Sequence, residues 1–332
     1  MSSASNRILL TGGAGFIGSH VAETLLRRGP KLTIVDSLDD FYSPVAKRAN
    51  LEEVRKAGDF EFHESDLRDF EGLREAMLKF RPDTVVHLAA RAGVRPSIEQ
   101  PRLYEQVNVG GTVNLLELSR EVGVERFVFG SSSSVYGITN RVPFVEDDPC
   151  LRPISPYAAT KLAGEFLCHT YAHLYGFSVV CLRFFTVYGP RQRPDLAIRK
   201  FTSLMESNKP IPVFGDGSAG RDHTYVDDIV AGVVAALDYQ FPSGATPFDV
   251  FNLGNSHPVS LTELIETLER VTGRTAVREK KALQPGDVPI TWANTDKATR
   301  MLGYRPATSL EEGLRKFVEW FRGRKGQNGG SI

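Results

Sequence analysis

The chain lacks several features that would assign a function directly. Its 332 residues include 3 cysteines (Cys150, Cys168 and Cys181) whose spacing matches no metal site, so we expect buried thiols in a reducing compartment and no metal. Basic and acidic residues number 40 each, so no net charge attracts nucleic acid or an anionic membrane. No apolar run approaches a membrane span, and the N-terminus has no signal-peptide core. We expect a cytoplasmic protein without nucleic-acid or membrane partners.

The first half of the chain alternates short apolar runs with amphipathic segments. Arg7–Thr11, Leu32–Asp36 and Thr84–Leu88 are such runs, and Ser19–Arg28 and Glu71–Phe80 are amphipathic. Continuously apolar strands that alternate with helices are typical of a parallel sheet covered on both faces. The pattern therefore predicts an α/β fold with a Rossmann-type doubly wound parallel sheet.

The pattern changes after Arg183, where proline and glycine become frequent and shorter helical segments follow. We expect a nucleotide-binding Rossmann domain over residues 1–185, with residues 225–255 returning to it. Residues 186–325 are expected to form mainly a smaller α/β domain for the substrate, and residues 326–332 a flexible tail.

A glycine-rich turn follows the first expected strand and reads Thr11-Gly-Gly-Ala-Gly-Phe-Ile-Gly18. Glycines at 12, 15 and 18 permit a tight turn and bring the backbone and a helix N-terminus close to a pyrophosphate. The second strand ends in Asp36, eighteen residues after Gly18, and this carboxylate can accept both ribose hydroxyls of an adenosine. Since acids rather than Lys or Arg follow Asp36 in the sequence, NAD is favoured over NADP.

A hydroxyl, a phenol and an amine form a second motif. Tyr157 and Lys161 lie four apart on one face of a predicted helix, and the run Ser131–Ser134 ends an apolar strand. A free tyrosine has a pKa near 10, and a nearby ammonium and the nicotinamide charge would favour the phenolate. This trio is typical of alcohol oxidation with hydride transfer to a nicotinamide.

Together these motifs resemble the extended short-chain dehydrogenase/reductase family, and within it the nucleotide-sugar epimerases. The resemblance covers nearly the whole chain. The motifs that carry it are Thr11–Gly18, His87-Leu-Ala-Ala90, Ser133-Ser-Val-Tyr-Gly137, Tyr157-Ala-Ala-Thr-Lys161 and Leu182-Arg-Phe-Phe-Thr-Val-Tyr-Gly189. Two further segments, Ala92-Gly-Val-Arg-Pro-Ser97 and Tyr188-Gly-Pro-Arg-Gln-Arg-Pro-Asp195, resemble the UDP-glucuronate 4-epimerases in particular.

The resemblance implies a cofactor, a substrate and an assembly. These are NAD, a UDP-sugar and a homodimer in which the helices over residues 103–122 and 155–176 pair. The implied catalytic residues are Ser132, Tyr157 and Lys161. The implied cofactor contacts are Gly12, Gly15, Phe16, Ile17, Gly18, Asp36, Asp66, Leu67, Leu88, Ala89, Ala90, Asn108, Tyr157 and Lys161. The implied substrate contacts are Ser132, Ser133, Ser134, Tyr157, Thr186, Arg193, Phe214, Arg221 and Asp287.

The nucleotide end of the substrate site departs from the family pattern at one position. By resemblance, Phe214 borders the uracil, Arg221 the pyrophosphate and Asp287 the uridine ribose. Related galactose epimerases have an arginine where Gln284 stands. Three arginines could replace that diphosphate contact, and the sequence does not choose between them; they are Arg91, Arg95 and Arg278.

The serine run also lacks an acid. Nucleotide-sugar dehydratases and glucuronate decarboxylases typically carry one where Ser133 and Ser134 stand. Without it, a 4-keto sugar is expected to rotate and take the hydride back on its other face, which is C4 epimerisation. A 4-keto glucuronate readily loses carbon dioxide, so we expect Arg193 and Thr186 to restrain its carboxylate. Epimerisation of neutral UDP-sugars, glucuronate decarboxylation and a non-enzymatic nucleotide sensor remain alternatives.

Overall fold

The structure is a computed structural model that describes residues 6–138, 141–282 and 288–327, of which residues 325–327 are described by their backbone. Within these ranges the strands are β1 (Arg7–Thr11), β2 (Lys31–Asp36), β3 (Glu61–Glu64), β4 (Thr84–His87), β5 (Arg126–Ser132), β6 (Ser178–Phe184), β7 (Thr186–Tyr188), β8 (Ile211–Phe214), β9 (Gly220–Tyr225), β10 (Phe248–Leu253), β11 (Pro258–Ser260) and β12 (Arg278–Lys281).

The helices cover both faces of the sheet and complete the second half. They are α1 (Phe16–Arg28), α2 (Pro44–Arg55), α3 (Phe70–Phe80), α4 (Val94–Glu99), α5 (Pro101–Tyr104), α6 (Gly111–Val122), α7 (Pro156–Tyr175), α8 (Ala197–Glu206), α9 (Val226–Asp238), α10 (Leu261–Thr272), α11 (Asp296–Leu302) and α12 (Leu310–Gln327). A π-helical segment, Glu105–Gly110, joins α5 to α6, and a 3₁₀ turn, Ser133–Tyr136, follows β5.

Seven strands form one parallel sheet in the order β10-β6-β5-β4-β1-β2-β3. The four residues of β4 are all buried, because helices cover both faces of the sheet. The expected Rossmann-type doubly wound sheet is therefore confirmed. The chain runs outward in opposite directions from β1 and β4, and the crevice at the carboxyl ends of these two strands is where such sheets bind ligands.

The helix α7 begins beside the carboxyl end of β5. Ser155 caps it, because the Ser155 side chain accepts a hydrogen bond from the backbone N–H of Ala158, and Pro156 occupies the first turn. This start fixes Tyr157 in the first turn and Lys161 one turn later. Both side chains therefore lie near the end of the sheet where a ligand would bind.

Smaller sheets lie beyond β6. The strands β7, β9 and β11 form a three-stranded sheet, and β8 pairs with β12 in parallel. Since β7 follows β6 after Phe185, this second sheet begins next to the carboxyl end of the large one. The three cysteines are buried and unpaired. Across the described ranges, no helix combines the length and apolar character that a membrane crossing requires.

Candidate functional site

A cavity of about 490 Å³ opens at the carboxyl ends of β1, β4 and β5. It brings together most of the side chains that the sequence singles out. These are Gly12, Gly15, Phe16, Ile17, Gly18, Asp36, Asp66, Leu67, Leu88, Ala89, Ala90, Ser132, Ser133, Ser134, Tyr157, Lys161, Thr186 and Arg193.

Three expected contacts among the described residues lie outside this lining. Asn108 is buried behind the cavity wall, at 3% exposure. Phe214 and Arg221 lie on β8 and β9, outside the lining. The guanidinium carbon of Arg95, in the first turn of α4, lies 5.3 Å from the centre of the Phe214 ring. Asp287, like Gln284, falls outside the described residues.

The glycine turn fits a dinucleotide. At Gly18, in the first turn of α1, an added Cβ would lie 2.1 Å from the carbonyl oxygen of Gly12, which no side chain could tolerate. The turn therefore folds tightly onto the start of α1 and leaves its N-terminal N–H groups facing the cavity. A pyrophosphate can approach this backbone closely, as the spacing of the glycines predicts.

Asp36, at the end of β2, is held by the backbone around it. One carboxylate oxygen accepts from the N–H of Ala14 at 3.1 Å, and the other accepts from the N–H of Leu38 at 2.9 Å. Burial raises the pKa of Asp36, and these two hydrogen bonds oppose that effect. The carboxylate is thus oriented at the edge where the adenosine ribose of a dinucleotide would lie.

Two cations pair with Asp39 in the loop after this carboxylate: Lys47, which the sequence analysis does not single out, and Arg91, which it names only as a possible diphosphate contact. Lys47 Nζ donates to the Asp39 carbonyl oxygen at 2.5 Å and lies 3.7 Å from its carboxylate. Arg91 Nη1 lies 2.5 Å from the other carboxylate oxygen of Asp39. Asp39 pairs with both cations, and Asp36 supplies the second negative charge that balances them. The expected preference for NAD over NADP rests on these two carboxylates.

Tyr157 and Ser132 lie together in the wall of the cavity. Burial raises the pKa of Tyr157, while a hydrogen bond with Ser132 and the positive charge of Arg193 lower it. Ser132 Oγ also donates to Ser134 Oγ at 3.2 Å and accepts from the Ser134 N–H at 3.2 Å. The hydroxyl of Ser132 is thus fixed between the phenol and the next turn of chain.

Lys161 is buried below Tyr157. Its Nζ donates to the Gly130 carbonyl oxygen at 2.8 Å and lies 5.0 Å from the centre of the Phe129 ring. Burial lowers the pKa of Lys161 to about 8. The sequence predicts that this ammonium lowers the pKa of Tyr157; in the structure Ser132 and Arg193 also lower it.

Asn108 joins two parts of the cavity wall from behind. Its amide Nδ2 donates to the Arg91 carbonyl and to Thr160 Oγ1, both at 3.0 Å, and its Oδ1 accepts from the Arg91 N–H at 2.8 Å. Thr160 in turn donates to the Tyr157 carbonyl at 2.9 Å. The π-helical segment that carries Asn108 therefore ties the loop after β4 to the first turn of α7.

Arg193 is held at the cavity wall by two neighbours. Its Nε and Nη2 donate to the two carboxylate oxygens of Asp195 at 3.0 and 2.9 Å. Its guanidinium carbon also lies 5.2 Å from the centre of the Phe41 ring. The Arg193 side chain is 16% exposed, so its charge is mostly shielded from solvent. Nη1 takes no part in the pair with Asp195.

The sequence did not single out Phe41 or its neighbour Tyr42, although both line the cavity. The guanidinium carbons of Arg91 and Arg193 lie 4.9 and 5.2 Å from the Phe41 ring centre. The available signal was an aromatic pair in the otherwise polar loop after Asp36. Such a pair is unusual on a solvated loop and indicates a covered surface.

Acidic groups occupy one end of the cavity. Among the described residues that line it, the acids are Asp36, Asp39 and Asp66, which follow β2 and β3. Asp66 accepts from Arg68 Nε and Nη2 at 2.9 and 2.8 Å, which lowers its pKa. The wall around Tyr157 presents hydroxyls and Arg193. Around the phenol, this wall can bind an anion and exchange protons with an alcohol.

Comparisons with known proteins agree with this geometry. The family model for GDP-mannose 4,6 dehydratase matches residues 9–317. The UDP-glucuronate 4-epimerase of Thermodesulfobacterium geofontis is 44% identical over 313 residues, which cover 94% of this chain and 95% of that protein.

Two solved structures share the fold. The UDP-glucuronic acid 4-epimerase of Bacillus cereus, in complex with UDP-glucuronic acid and NAD, superposes with a TM-score of 0.88 at 36% identity, covering 96% of this chain and 99% of that one. The UDP-glucose 4-epimerase of Thermotoga maritima, with UDP-glucose, gives a TM-score of 0.86 at 34% identity, covering 96% and 99%.

Proposed function

The chain belongs to the GDP-mannose 4,6-dehydratase-like group of the extended short-chain dehydrogenase/reductase family, and we propose that it is an NAD-dependent 4-epimerase that interconverts UDP-glucuronate and UDP-galacturonate. The group includes eliminating as well as epimerising enzymes, so membership alone does not select the reaction. The residues around Tyr157 favour epimerisation.

One observation carries this choice. The acids among the described lining residues lie at the β2–β3 end of the cavity, and the wall beside Tyr157 is built from Ser132, Ser133 and Ser134. An eliminating enzyme needs an acid or base beside the oxidised sugar to remove a further proton or leaving group. With hydroxyls and no acid at that position among the described residues, the simplest fate of a 4-keto sugar is return of the hydride.

The side chains around the sugar would act on its C4 hydroxyl. Tyr157 would accept the hydroxyl proton, and Ser132 would share it through the hydrogen bond between the two side chains. Lys161 would stabilise the cluster from below as an ammonium. The glycine turn and Asp36 would hold NAD, which would supply the reversible hydride acceptor for C4. Tyr157 would then return the proton, so the reaction has no net oxidation.

Arg193 and Thr186 support an acidic rather than a neutral sugar. Both line the cavity, and Arg193 keeps Nη1 outside its pair with Asp195. A charge-assisted hydrogen bond from Arg193 to the sugar carboxylate would hold the C5–carboxylate bond away from alignment with the C4 carbonyl. Because decarboxylation of a β-keto acid needs that alignment, the clamp would protect the intermediate.

The uridine diphosphate would extend from the cavity toward β8 and β9. Phe214, Arg221 and Asp287 are the proposed contacts. Arg95 is the best candidate for the extra diphosphate contact, since its guanidinium carbon lies 5.3 Å from the ring centre of Phe214. Arg278 pairs with Glu269 at 3.1 Å, and Arg91 pairs with Asp39 at 2.5 Å.

A homodimer through α7 is part of the proposal. Phe166 and Leu174 lie two turns apart on this helix and are 59% and 61% exposed. Large apolar side chains at this spacing form a stripe that a second copy of the helix would cover. We also propose a cytoplasmic location, which the buried, unpaired cysteines support.

The substrate assignment is tested by product analysis. The purified protein is incubated with NAD and, separately, UDP-glucuronate, UDP-glucose and UDP-N-acetylglucosamine, and the products are identified by proton NMR. We expect UDP-galacturonate from UDP-glucuronate, and no product from the Tyr157→Phe variant. UDP-xylose as the main product would identify a decarboxylase, and turnover of the neutral sugars alone would identify a different epimerase.

A further inference from the structure

A buried ion pair lies directly beneath the proposed catalytic side chains. Glu165 on α7 accepts from Arg183 Nε at 3.0 Å and Nη2 at 2.8 Å, and from Ser131 Oγ at 2.5 Å. The side chains of Arg183 and Glu165 are 5% and 3% exposed. Neither lines the cavity, so the pair cannot contact a ligand there.

The pair holds the serine loop, defined here as residues 131–136, at both ends. Ser131 begins the loop and donates to Glu165. The guanidinium carbon of Arg183 lies 4.8 Å from the ring centre of Tyr136, which ends the loop and donates to Asn252 Oδ1 on β10 at 2.7 Å. In the sheet, Ser131 and Arg183 are direct neighbours on β5 and β6. Ser132 therefore lies between two fixed points.

The same pair acts on the helix that carries Tyr157. Glu165 is one turn beyond Lys161 on α7, and Lys161 Nζ donates to Gly130, the residue before the serine loop. The helix lies close to β5 because residue 164 is glycine: an added Cβ there would be 2.4 Å from the Phe129 ring. Helix and loop are thus joined by Lys161–Gly130 and by Glu165–Ser131.

Stability alone does not explain such a pair. Removing two charges from water costs several kcal/mol per ion, and replacing a buried pair by apolar residues of similar volume is often neutral or stabilising. The pair instead fixes a conformation. Three hydrogen bonds converge on the carboxylate of Glu165, and their geometry allows the serine loop only one arrangement.

We propose that Glu165 and Arg183 are positioning residues, which fix the serine loop against α7 so that Ser132 and Tyr157 meet the same hydroxyl of the sugar. The inference rests on the proposed 4-epimerase function for its chemistry. Neither residue gives or takes a proton in the reaction. Their effect reaches the sugar through Ser131, Ser132 and the first turns of α7.

Two variants test the inference. The double variant Glu165→Leu with Arg183→Met removes both charges together and is expected to keep its melting temperature, since no buried charge is left unpaired. Its kcat is expected to fall on the order of 10²-fold, because misplacement by about 1 Å is that costly. KM for UDP-glucuronate stays within about twofold, since binding contacts are intact. Ser131→Ala, which removes one hydrogen bond, is expected to lower kcat roughly tenfold.

A readout without turnover accompanies the kinetics. Hydrogen exchange measured by mass spectrometry is expected to rise about tenfold in peptides that cover the serine loop, and to stay unchanged along the rest of β5 and α7. The matched control is Asp249→Leu with Lys297→Met, which removes an ion pair at the β10 edge whose side chains are 18% and 28% exposed. This control keeps the wild-type kcat.

The outcomes separate the inference from the function it rests on. Wild-type kcat and wild-type exchange in the folded variants would overturn the positioning role. A double variant that fails to fold, or exchange that rises throughout α7 and β6, would assign the pair to stability and overturn it as well. A wild-type protein that epimerises no UDP-sugar rejects the proposed function instead, and the exchange data then decide the positioning role alone.

Discussion

Tyr157 is half-buried and Lys161 is buried, and loss of solvent shifts their pKa values in opposite directions, each toward the neutral form. The pKa of Tyr157 rises and that of Lys161 falls to about 8. A hydrogen bond with Ser132 and the charge of Arg193 oppose the shift at Tyr157, and Glu165 opposes the shift at Lys161. We therefore expect proton transfer by Tyr157 and Lys161 to depend also on Ser132, Arg193 and Glu165.

The buried ammonium of Lys161 makes stability depend on pH. Below pH 8 the amine is protonated in the folded and the unfolded protein, so the burial cost is fully present. Between about pH 8 and 10.5 the unfolded chain still binds the proton while the folded protein does not, so this contribution raises stability with pH.

Lys161→Met is therefore expected to be more stable than the wild type at pH 7, by up to about 3 kcal/mol, and inactive. The advantage should shrink by most of that amount at pH 10. Urea unfolding at both pH values, monitored by circular dichroism, measures the difference. An advantage of equal size at pH 7 and pH 10 would contradict the assigned pKa shift.

Arg193 is expected to select the acidic sugar. Arg193→Ala should weaken binding of UDP-glucuronate roughly tenfold or more, because a charge-assisted hydrogen bond to the carboxylate is lost, and leave UDP binding unchanged. Calorimetric titration with both ligands measures this, with the exposed Arg141→Ala as control. If UDP and UDP-glucuronate lose affinity equally, Arg193 acts on the nucleotide rather than on the carboxylate.

Among the secondary-structure elements, the strands and helices with a clear periodic pattern of apolar residues were predictable from the sequence. The strand Arg7–Thr11 and the helix start near Tyr157 follow from apolar runs, capping residues and proline. The segment 103–122, expected to be a helix, is helical throughout, and it runs from α5 through a π-helical segment to α6. The π-helical segment was not predicted, and it carries Asn108, which bonds across to Arg91 and Thr160. Such long-range bonds leave no local signal in a sequence.

In the candidate site, too, local motifs were predictable from the sequence and long-range contacts were not. The glycine turn, Asp36 and the Tyr157–Lys161 pair are local motifs and could be read directly. The stacking of Arg91 and Arg193 around Phe41 joins segments that are about fifty and about a hundred and fifty residues from Phe41 in sequence. Only the folded sheet brings these segments together, so spacing could not predict their contact.

The close approach of α7 to β5 gives a prediction for the element. Gly164→Ala would put a methyl group 2.4 Å from the Phe129 ring, so α7 must move away from the serine loop. We expect kcat to fall on the order of 10²-fold. Gly323→Ala is the matched control: it also lies in a helix, α12, but nothing stands within 4 Å of the added atom. That variant should gain up to about 1 kcal/mol and keep its activity.

Gly164→Ala is expected to recover activity when Phe129→Leu is added, because the smaller side chain vacates the space. Steady-state kinetics of the single and double variants test this. If Gly164→Ala has the wild-type kcat, activity does not depend on the close packing of α7 against β5, and the prediction is wrong.

In the molecule as a whole, the large sheet brings two groups of residues together at the carboxyl ends of its strands, one suited to a dinucleotide and one suited to proton transfer. The β1–β2–β3 side supplies the glycine turn and the acids for a dinucleotide, and the β4–β5–β6 side supplies the hydroxyls, Tyr157 and Lys161. The step from β6 to β7 then adds Thr186 and Arg193, the proposed contacts of the sugar carboxylate. A cofactor and a sugar bound in one crevice can exchange a hydride without leaving it.

The proposed dimer is tested by mass. Light scattering on the wild type is expected to give twice 36.7 kDa, and Phe166→Lys with Leu174→Lys should give 36.7 kDa, since two charges per helix cannot be buried unpaired. Val45→Lys, at a position that is 76% exposed on α2, is the control and remains dimeric. A wild type that is monomeric at all concentrations rejects the dimer.

The central claim is that hydride leaves C4 of the sugar and returns to it within one active site. The most direct measurement follows a deuterium label at C4 of UDP-glucuronate during turnover in ordinary water, with NMR and mass spectrometry of the product. Hydride return within one site predicts UDP-galacturonate that keeps the deuterium at C4. Product with hydrogen at C4, or a pentose nucleotide formed with loss of carbon dioxide, would contradict it.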